Sequence, residues 1–195
     1  WYPRIPYDLI NTVYDVYLTS TETSYVVGDN GVILKTTNKG MKWIAQNSKT
    51  QNRLYSVWFT DSLNGVACGK NGVITRTTNA GGNWTIVNSN TTEDLNSVQF
   101  VGSDIGYISG NSGLILKTTD KGVTWEIMTT NISKDLKAVF FSTQNIGYAC
   151  GKNGTILRTS TGGEAWENMT SGTHFNLNSL FFTDELTGYV VGDTG

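Results

Sequence analysis

Short apolar runs separated by glycine-bearing turns fill this chain, and one hydrophobic pattern returns along it at a fixed interval. Leu54-Tyr-Ser-Val-Trp-Phe59 is matched by the stretches 95–100, 136–141 and 177–182. In these, Val57/Phe59, Val98/Phe100, Val139/Phe141 and Leu180/Phe182 share one face at period two, which predicts a β-strand. The opposite face carries Trp58, Gln99, Phe140 and Phe181, so the strand is mostly apolar on both sides and belongs between stacked sheets. A short second strand follows, Gly65-Val-Ala-Cys68 and its counterparts Gly106-Tyr-Ile-Ser109, Gly147-Tyr-Ala-Cys150 and Gly188-Tyr-Val-Val191. The pairs Asp29-Asn30, Lys70-Asn71, Asn111-Ser112 and Lys152-Asn153, bracketed by glycines, then predict two-residue hairpin loops with positive φ. A third strand (32–36, 73–77, 114–118, 155–159) and a tight turn lead to a tryptophan that opens a fourth, outer strand.

The interval is 41 residues: Trp43, Trp84, Trp125 and Trp166 keep it, as do Gly28, Gly69, Gly110, Gly151 and Gly192. A repeat of that length is one four-stranded propeller blade. The sequence therefore predicts an all-β propeller with blades at 13–53, 54–94, 95–135 and 136–176. A partial blade would combine 177–195 with 1–12, and no helix should exceed a single turn.

Composition agrees and narrows the function classes. The chain has 195 residues, 22 glycines, only 2 prolines and 15% charged residues, with a net charge of −2. That balance excludes disorder, and the acidic pI of about 5.3 excludes nucleic acid as a main partner. Apolar runs of about five residues are far too short to span a bilayer. Cys68 and Cys150 hold the same repeat position two blades apart, beyond disulfide reach, and read as buried thiols. His174 is the only histidine, which removes any multi-histidine metal site, and no cofactor is expected.

The last turn of each repeat carries a motif. Thr118-Thr-Asp120-Lys-Gly122-Val-Thr124-Trp125 fits the Asp-box pattern S/T-x-D-x-G-x-T-W at every defined place. The equivalents place Asn38 with Gly40 and Trp43, Asn79 with Gly81 and Trp84, and Thr161 with Gly163 and Trp166. With the G-Y-x-x-G and G-x-I-L-K-T-T segments, the repeat resembles the photosystem II assembly and stability factor type of BNR/Asp-box propeller. The resemblance implies that the box is a structural turn, its polar side chain tying the hairpin and its tryptophan packing between blades. It implies a protein that holds partner proteins rather than one that breaks bonds, and a secreted, periplasmic or cell-surface location. The photosynthetic members use a basic patch of arginines, which this chain lacks.

Candidate contact residues follow from where the repeats diverge. The connections 47–53, 88–94, 129–135 and 170–176 carry Lys49 and Arg53, then Glu93 and Asp94, then Lys134 and Asp135, then His174 beside Phe175. Divergent loops on a constant frame are where binding specificity sits. Asp15 is the second candidate, because its counterparts are Ser56, Ser97, Ala138 and Ser179. A carboxylate on the innermost strand is either a ligand contact in the channel or an imperfection of the first repeat. Lys35, Arg76, Lys117 and Arg158 place a cation at one site in every blade, which reads as packing or a repeated local pair.

Two other function classes compete. Asp-box propellers include sialidases and xyloglucan-cleaving glycosidases, and Arg4-Ile5-Pro6 resembles the sialidase R-I-P motif. Yet Arg76 and Arg158 are locked into the repeat, leaving Arg53 alone, and Asp15 has no evident second carboxylate to complete a glycosidase pair, with Asp8 and Glu22 the open candidates. A structural component of a surface layer or filament is the third class. A non-catalytic protein-binding scaffold is the expected function. The end pieces sum to less than a blade, so the chain is expected to be a window of a larger propeller, such as a seven-bladed one, or to be completed by a further chain or subunit.

Overall fold

The computed structural model describes residues 11–184 and 187–194. Trp1, Arg4-Ile5-Pro6 and any pairing of the first ten residues lie outside the described residues.

Four antiparallel sheets of four strands follow one another along the chain. The first holds β1 (Val13–Leu18), β2 (Ser24–Gly28), β3 (Ile33–Thr36) and β4 (Ile44–Gln46) in sequence order. The second holds β5 (Leu54–Phe59), β6 (Gly65–Gly69), β7 (Ile74–Thr77) and β8 (Thr85–Val87). The third holds β9 (Leu95–Val101), β10 (Ile105–Gly110), β11 (Ile115–Thr118) and β12 (Glu126–Met128). The fourth holds β13 (Leu136–Phe141), β14 (Gly147–Gly151), β15 (Ile156–Thr159) and β16 (Glu167–Met169). A two-stranded sheet, β17 (Leu177–Phe182) and β18 (Gly188–Gly192), ends the series. The first strands β1, β5, β9, β13 and β17 lie side by side, whereas the fourth strands do not pack on one another in this way. The sheets therefore radiate from a hub of first strands, as propeller blades do.

Each core lies between two blades. Tyr25, Val27 and Ile33 of the first sheet bury themselves with Leu54, Val57, Phe59 and Trp84 of the second. Phe59 stacks on Tyr25 at 4.0 Å and meets Trp84 edge-on at 6.0 Å. The same trio recurs as Tyr107, Phe141 and Trp166, with the stack at 3.5 Å. Each fully buried aromatic contributes about 1.5–3 kcal/mol, so the blades are held chiefly by these interfaces. The phenylalanine ring also explains the glycine near the start of the second strand in the later blades, Gly65, Gly106, Gly147 and Gly188, where β2 has Ser24. A Cβ on Gly65 would stand 2.6 Å from the Phe59 ring.

Polar groups tie the same interfaces. Lys35 Nζ and the Tyr25 hydroxyl both donate to the Ala80 carbonyl, at 2.8 and 2.9 Å. Arg76 Nε donates to the Lys121 carbonyl at 2.8 Å, and Lys117 pairs with Glu164 at 3.0 Å. In these three blades the repeated cation reaches the motif turn of the next blade. Burial pushes the phenols of Tyr25 and Tyr107 up to about 12, with the Glu164 charge adding to the effect at Tyr107.

In the motif turns, side-chain oxygens collect backbone N–H groups. Thr118 Oγ1 accepts the Gly122 N–H at 3.0 Å, while the Asp120 carboxylate gathers the N–H groups of Val123 and Thr124 at 3.0 and 2.9 Å and the Thr124 hydroxyl at 2.6 Å. Asn38 and Asn79 accept the Lys42 and Asn83 N–H groups at 2.9 and 2.8 Å. In the fourth blade the Thr161 hydroxyl accepts the Ala165 N–H at 2.9 Å. Trp84, Trp125 and Trp166 are buried.

The hairpin loops keep the expected positive φ but sit one residue further along: the two central residues are Asn30-Gly31 and their equivalents, and the Val32 N–H closes the turn on the Asp29 carbonyl at 3.0 Å. Asn30 and Gly31 both take positive φ, 55° and 70°. Gly31 stays in the turn because the Thr50 carbonyl occupies the space a Cβ would need.

The described residues form an open arc. Val16 is 53% exposed and Leu18 62%, whereas their counterparts Val57 and Phe59 are each 2% exposed. At the other end Tyr189 is 64% exposed. β1 and β17 do not pack together as adjacent first strands do, and β18 pairs with β17 alone.

Candidate functional site at the hub

Every first strand carries one irregularity at the same place. The β1–β2 register shifts between Val13 and Asp15, and β5–β6 shifts between Leu54 and Ser56. Similar shifts set off Asn96, Lys137 and Asn178 in β9, β13 and β17. The residue at each bulge is thus Tyr14, Tyr55, Asn96, Lys137 and Asn178, at one repeat position. A bulge re-aims a side chain out of the pleat. Here it delivers all five to a single cavity of about 420 Å³ at the hub, completed by Asp94 and Asn111.

The wall of this cavity is uneven in chemistry. Tyr14 and Tyr55 meet edge-to-face at 5.5 Å. The Tyr14 hydroxyl donates to Asp29 at 3.1 Å, and Arg53 Nε pairs with the same carboxylate at 2.6 Å. Burial, then the Asp94 charge, raises the Tyr55 phenol, and a hydrogen bond with Arg53 opposes them. Asn96 donates to Asn111 Oδ1 and the Leu136 carbonyl, at 3.0 and 2.7 Å. Asn178 donates to Asp193 at 2.8 Å, and that amide, followed by the Asn176 amide, holds the Asp193 carboxyl below its ordinary range.

The residues expected from the sequence fall into two sets. Arg53, Asp94 and Asp135 have internal work. Arg53 is paired as above, and Asp94 accepts the Asn71 N–H at 2.9 Å. Asp135 accepts the Ser112 N–H at 3.1 Å and pairs with Lys152 at 2.6 Å, which holds its carboxyl below the usual range. These acceptors serve backbone groups at positive-φ turns. Lys49, Glu93, Lys134, His174 and Phe175 are exposed on the connections. His174 lines a groove of about 570 Å³ with Asn153 and Met169, and a similar groove of about 370 Å³ recurs at the first blade beside Asn47 and Gln51. The groove belongs to the blade form and is not particular to His174.

Asp15 bridges two blades. Its Oδ2 accepts the Ser56 hydroxyl and the Val57 N–H, both at 2.9 Å, and its Oδ1 accepts the Val16 N–H at 2.8 Å. Ser56 in turn accepts the Val98 N–H at 3.2 Å, so the same tie is passed on one blade further. Cys68 and Cys150 are free and buried, and desolvation raises both thiols. Among the described residues no three His, Cys, Asp or Glu side chains converge to hold a metal ion. No described helix is long and apolar enough to cross a membrane.

The sequence profile of the photosynthesis system II assembly factor YCF48 family matches residues 2–92 and 42–133. The chain belongs to that family. Among solved structures it is similar to YCF48 from Cyanidioschyzon merolae, with 16% identity, a TM-score of 0.76, and coverage of 98% of this chain and 70% of that one. It is similar to a YCF48 bound to D1 peptide at 14% identity and a TM-score of 0.56, covering 95% and 90%. An ancestral GH74 enzyme shares the fold at 19% identity and a TM-score of 0.70, over 80% of this chain and 24% of that one. These likenesses show the propeller fold, since all lie at low identity. Among curated protein sequences none matches the chain.

The five bulge residues were missed by sequence reasoning. A bulge is set by backbone pairing and leaves no composition signal, so they were read as ordinary strand positions. One signal was available: Leu54, Leu95, Leu136 and Leu177 are constant, whereas the next position changes from Tyr to Asn to Lys to Asn.

Proposed function

We propose that this YCF48-family chain is a non-catalytic propeller that binds a partner protein and holds it during assembly, and that it works outside the cytoplasm. Family membership carries the reading. A YCF48 structure bound to a D1 peptide supports it by showing one relative with a peptide partner. Chemistry at the hub points the same way. Asp29, Asp94 and Asp193 accept hydrogen bonds from their own blades and Asp15 from the next, so each of these carboxylates already has a structural role. Rigid blades with exposed, divergent connections suit recognition of a folded surface. The extracytoplasmic part is supported by the resemblance of the repeats to those of bacterial extracytoplasmic proteins.

The test is crosslinking in the native cell from a photoreactive residue placed at Lys49, Lys134 or Phe175, with Ile86 on an outer strand as control. One protein recovered from the connections and not from Ile86 is the expected result. No crosslinked protein from any of the three would overturn the reading. Fractionation of the same cells checks location, and recovery wholly in the cytosol would refute that part.

A further inference from the structure

We propose that the hub cavity binds an extended peptide carrying one acidic side chain next to an apolar or aromatic one. This rests on the protein-binding reading above and names which part of the partner enters. Lys137 sets the charge. It is half-buried and lines the cavity; its charge acts on the Asp135 carboxylate, which is already paired with Lys152, and its ammonium makes no hydrogen bond or ion pair of its own among the described residues. Arg53, Asp135 and Lys152 nearby are paired, and Asp94 and Asp193 accept hydrogen bonds. An ammonium without an ion-pair partner at the cavity wall is complemented by a carboxylate.

The other walls select the neighbour and the backbone. Tyr14 and Tyr55 spend their hydroxyls on Asp29 and Arg53, which leaves their rings as apolar surface. Asn96 and Asn178 direct their amide hydrogens to protein acceptors, so their carbonyl oxygens remain for the N–H groups of a ligand. Asn111 accepts from Asn96 and keeps its own amide hydrogens for a ligand carbonyl. Asp94 limits the negative charge the site accepts, because a second anionic group on the ligand would face its carboxylate. The cavity of about 420 Å³ is of ligand-pocket size.

The experiment is calorimetric titration of the whole chain with three capped hexapeptides in a Gly-Ser frame, holding Glu-Phe, Gln-Phe or Lys-Phe at the centre. Cellohexaose serves as the neutral sugar. The Glu-Phe peptide should bind about tenfold more tightly than the other two, the worth of one charged hydrogen bond. Lys137→Met should remove that preference, and Lys137→Glu should move it to Lys-Phe. Tyr55→Ser should weaken all three peptides, and thermal melts confirm that each variant folds. Equal affinities for the three peptides, no peptide binding at millimolar concentration, or binding of cellohexaose that Tyr55→Ser abolishes would each overturn the proposal. Crosslinking with Lys137→Met separates the two readings: if partner capture persists while the peptides fail to discriminate, the cavity assignment fails and the scaffold reading stands.

Discussion

Replacing Asp15 with alanine should loosen the first blade from the second. The carboxylate accepts two bonds from the next blade, the Ser56 hydroxyl and the Val57 N–H, both at 2.9 Å. Hydrogen bonds to a charged group contribute about 1.5–3 kcal/mol each. Asp15 is only half-buried, so the lower end applies, and the pair together is worth about 3 kcal/mol. Asp15→Ser keeps one acceptor, as Ser56 does toward Val98, and should lose about half of that. With a urea slope of about 2 kcal/mol/M, the alanine variant should unfold at about 1.5 M less urea. Hydrogen exchange at the Val57 amide supplies a local reading, and about 3 kcal/mol corresponds to exchange roughly 100-fold faster. An unchanged urea midpoint with Val57 still protected would refute the bridging role. Lost peptide binding at full stability would instead make Asp15 a ligand contact.

Phe141→Ala should cost about 3–5 kcal/mol in urea unfolding, since the ring lies between Tyr107 and Trp166. Phe182→Ala should cost less, because Phe182 stacks on Tyr148 but lies in a sheet with two described strands and has no tryptophan against it among the described residues. Alkaline stability should fall between about pH 10 and 12. Tyr25 and Tyr107 have folded values raised to about 12 from 10.0, so their contribution is complete below pH 10 and lost as pH rises through the folded value. Absorbance of phenolate against pH checks this, and Tyr25→Phe should reduce the fall. Incubation with sialosides or xyloglucan should release no sugar; release that disappears in Asp15→Asn would move the chain to the glycosidases.

The fold was legible because a repeat multiplies weak signals. One Trp84 or one Gly69 says little, but their return every 41 residues reports a frame built several times over. The interblade cores were legible too, since Val57 and Phe59 alternate with a second apolar face and both faces are covered by neighbours. The role of Asp15 was open because its partners, Ser56 and Val57, stand one whole repeat away in sequence. Arg53, Asp94 and Asp135 looked free for a partner for a related reason. Their own partners, Asp29, Asn71 and Ser112, sit 23 or 24 residues earlier, at the hairpin turn of the same repeat.

The hub cavity follows from the way the frame is constrained. On a first strand, Leu54, Val57 and Phe59 point into blade interfaces, where a change of volume is costly. Ser56 carries the hydrogen bond that links one first strand to the next. The bulge residue is released from both duties, because the shift in register turns it out of the pleat toward the hub. Substitution there spares the apolar interfaces, with Asn96 alone adding a hydrogen bond to the Leu136 carbonyl of the next blade, so the frame tolerates Tyr, Asn and Lys at that one position in successive blades. Repeating the bulge then converts separate free choices into neighbours around one cavity, with the aromatic pair in the first two blades and the unpaired ammonium in the fourth. A ligand that spans the arc meets these groups in order, which gives a nearly symmetric scaffold a direction in which to read a peptide.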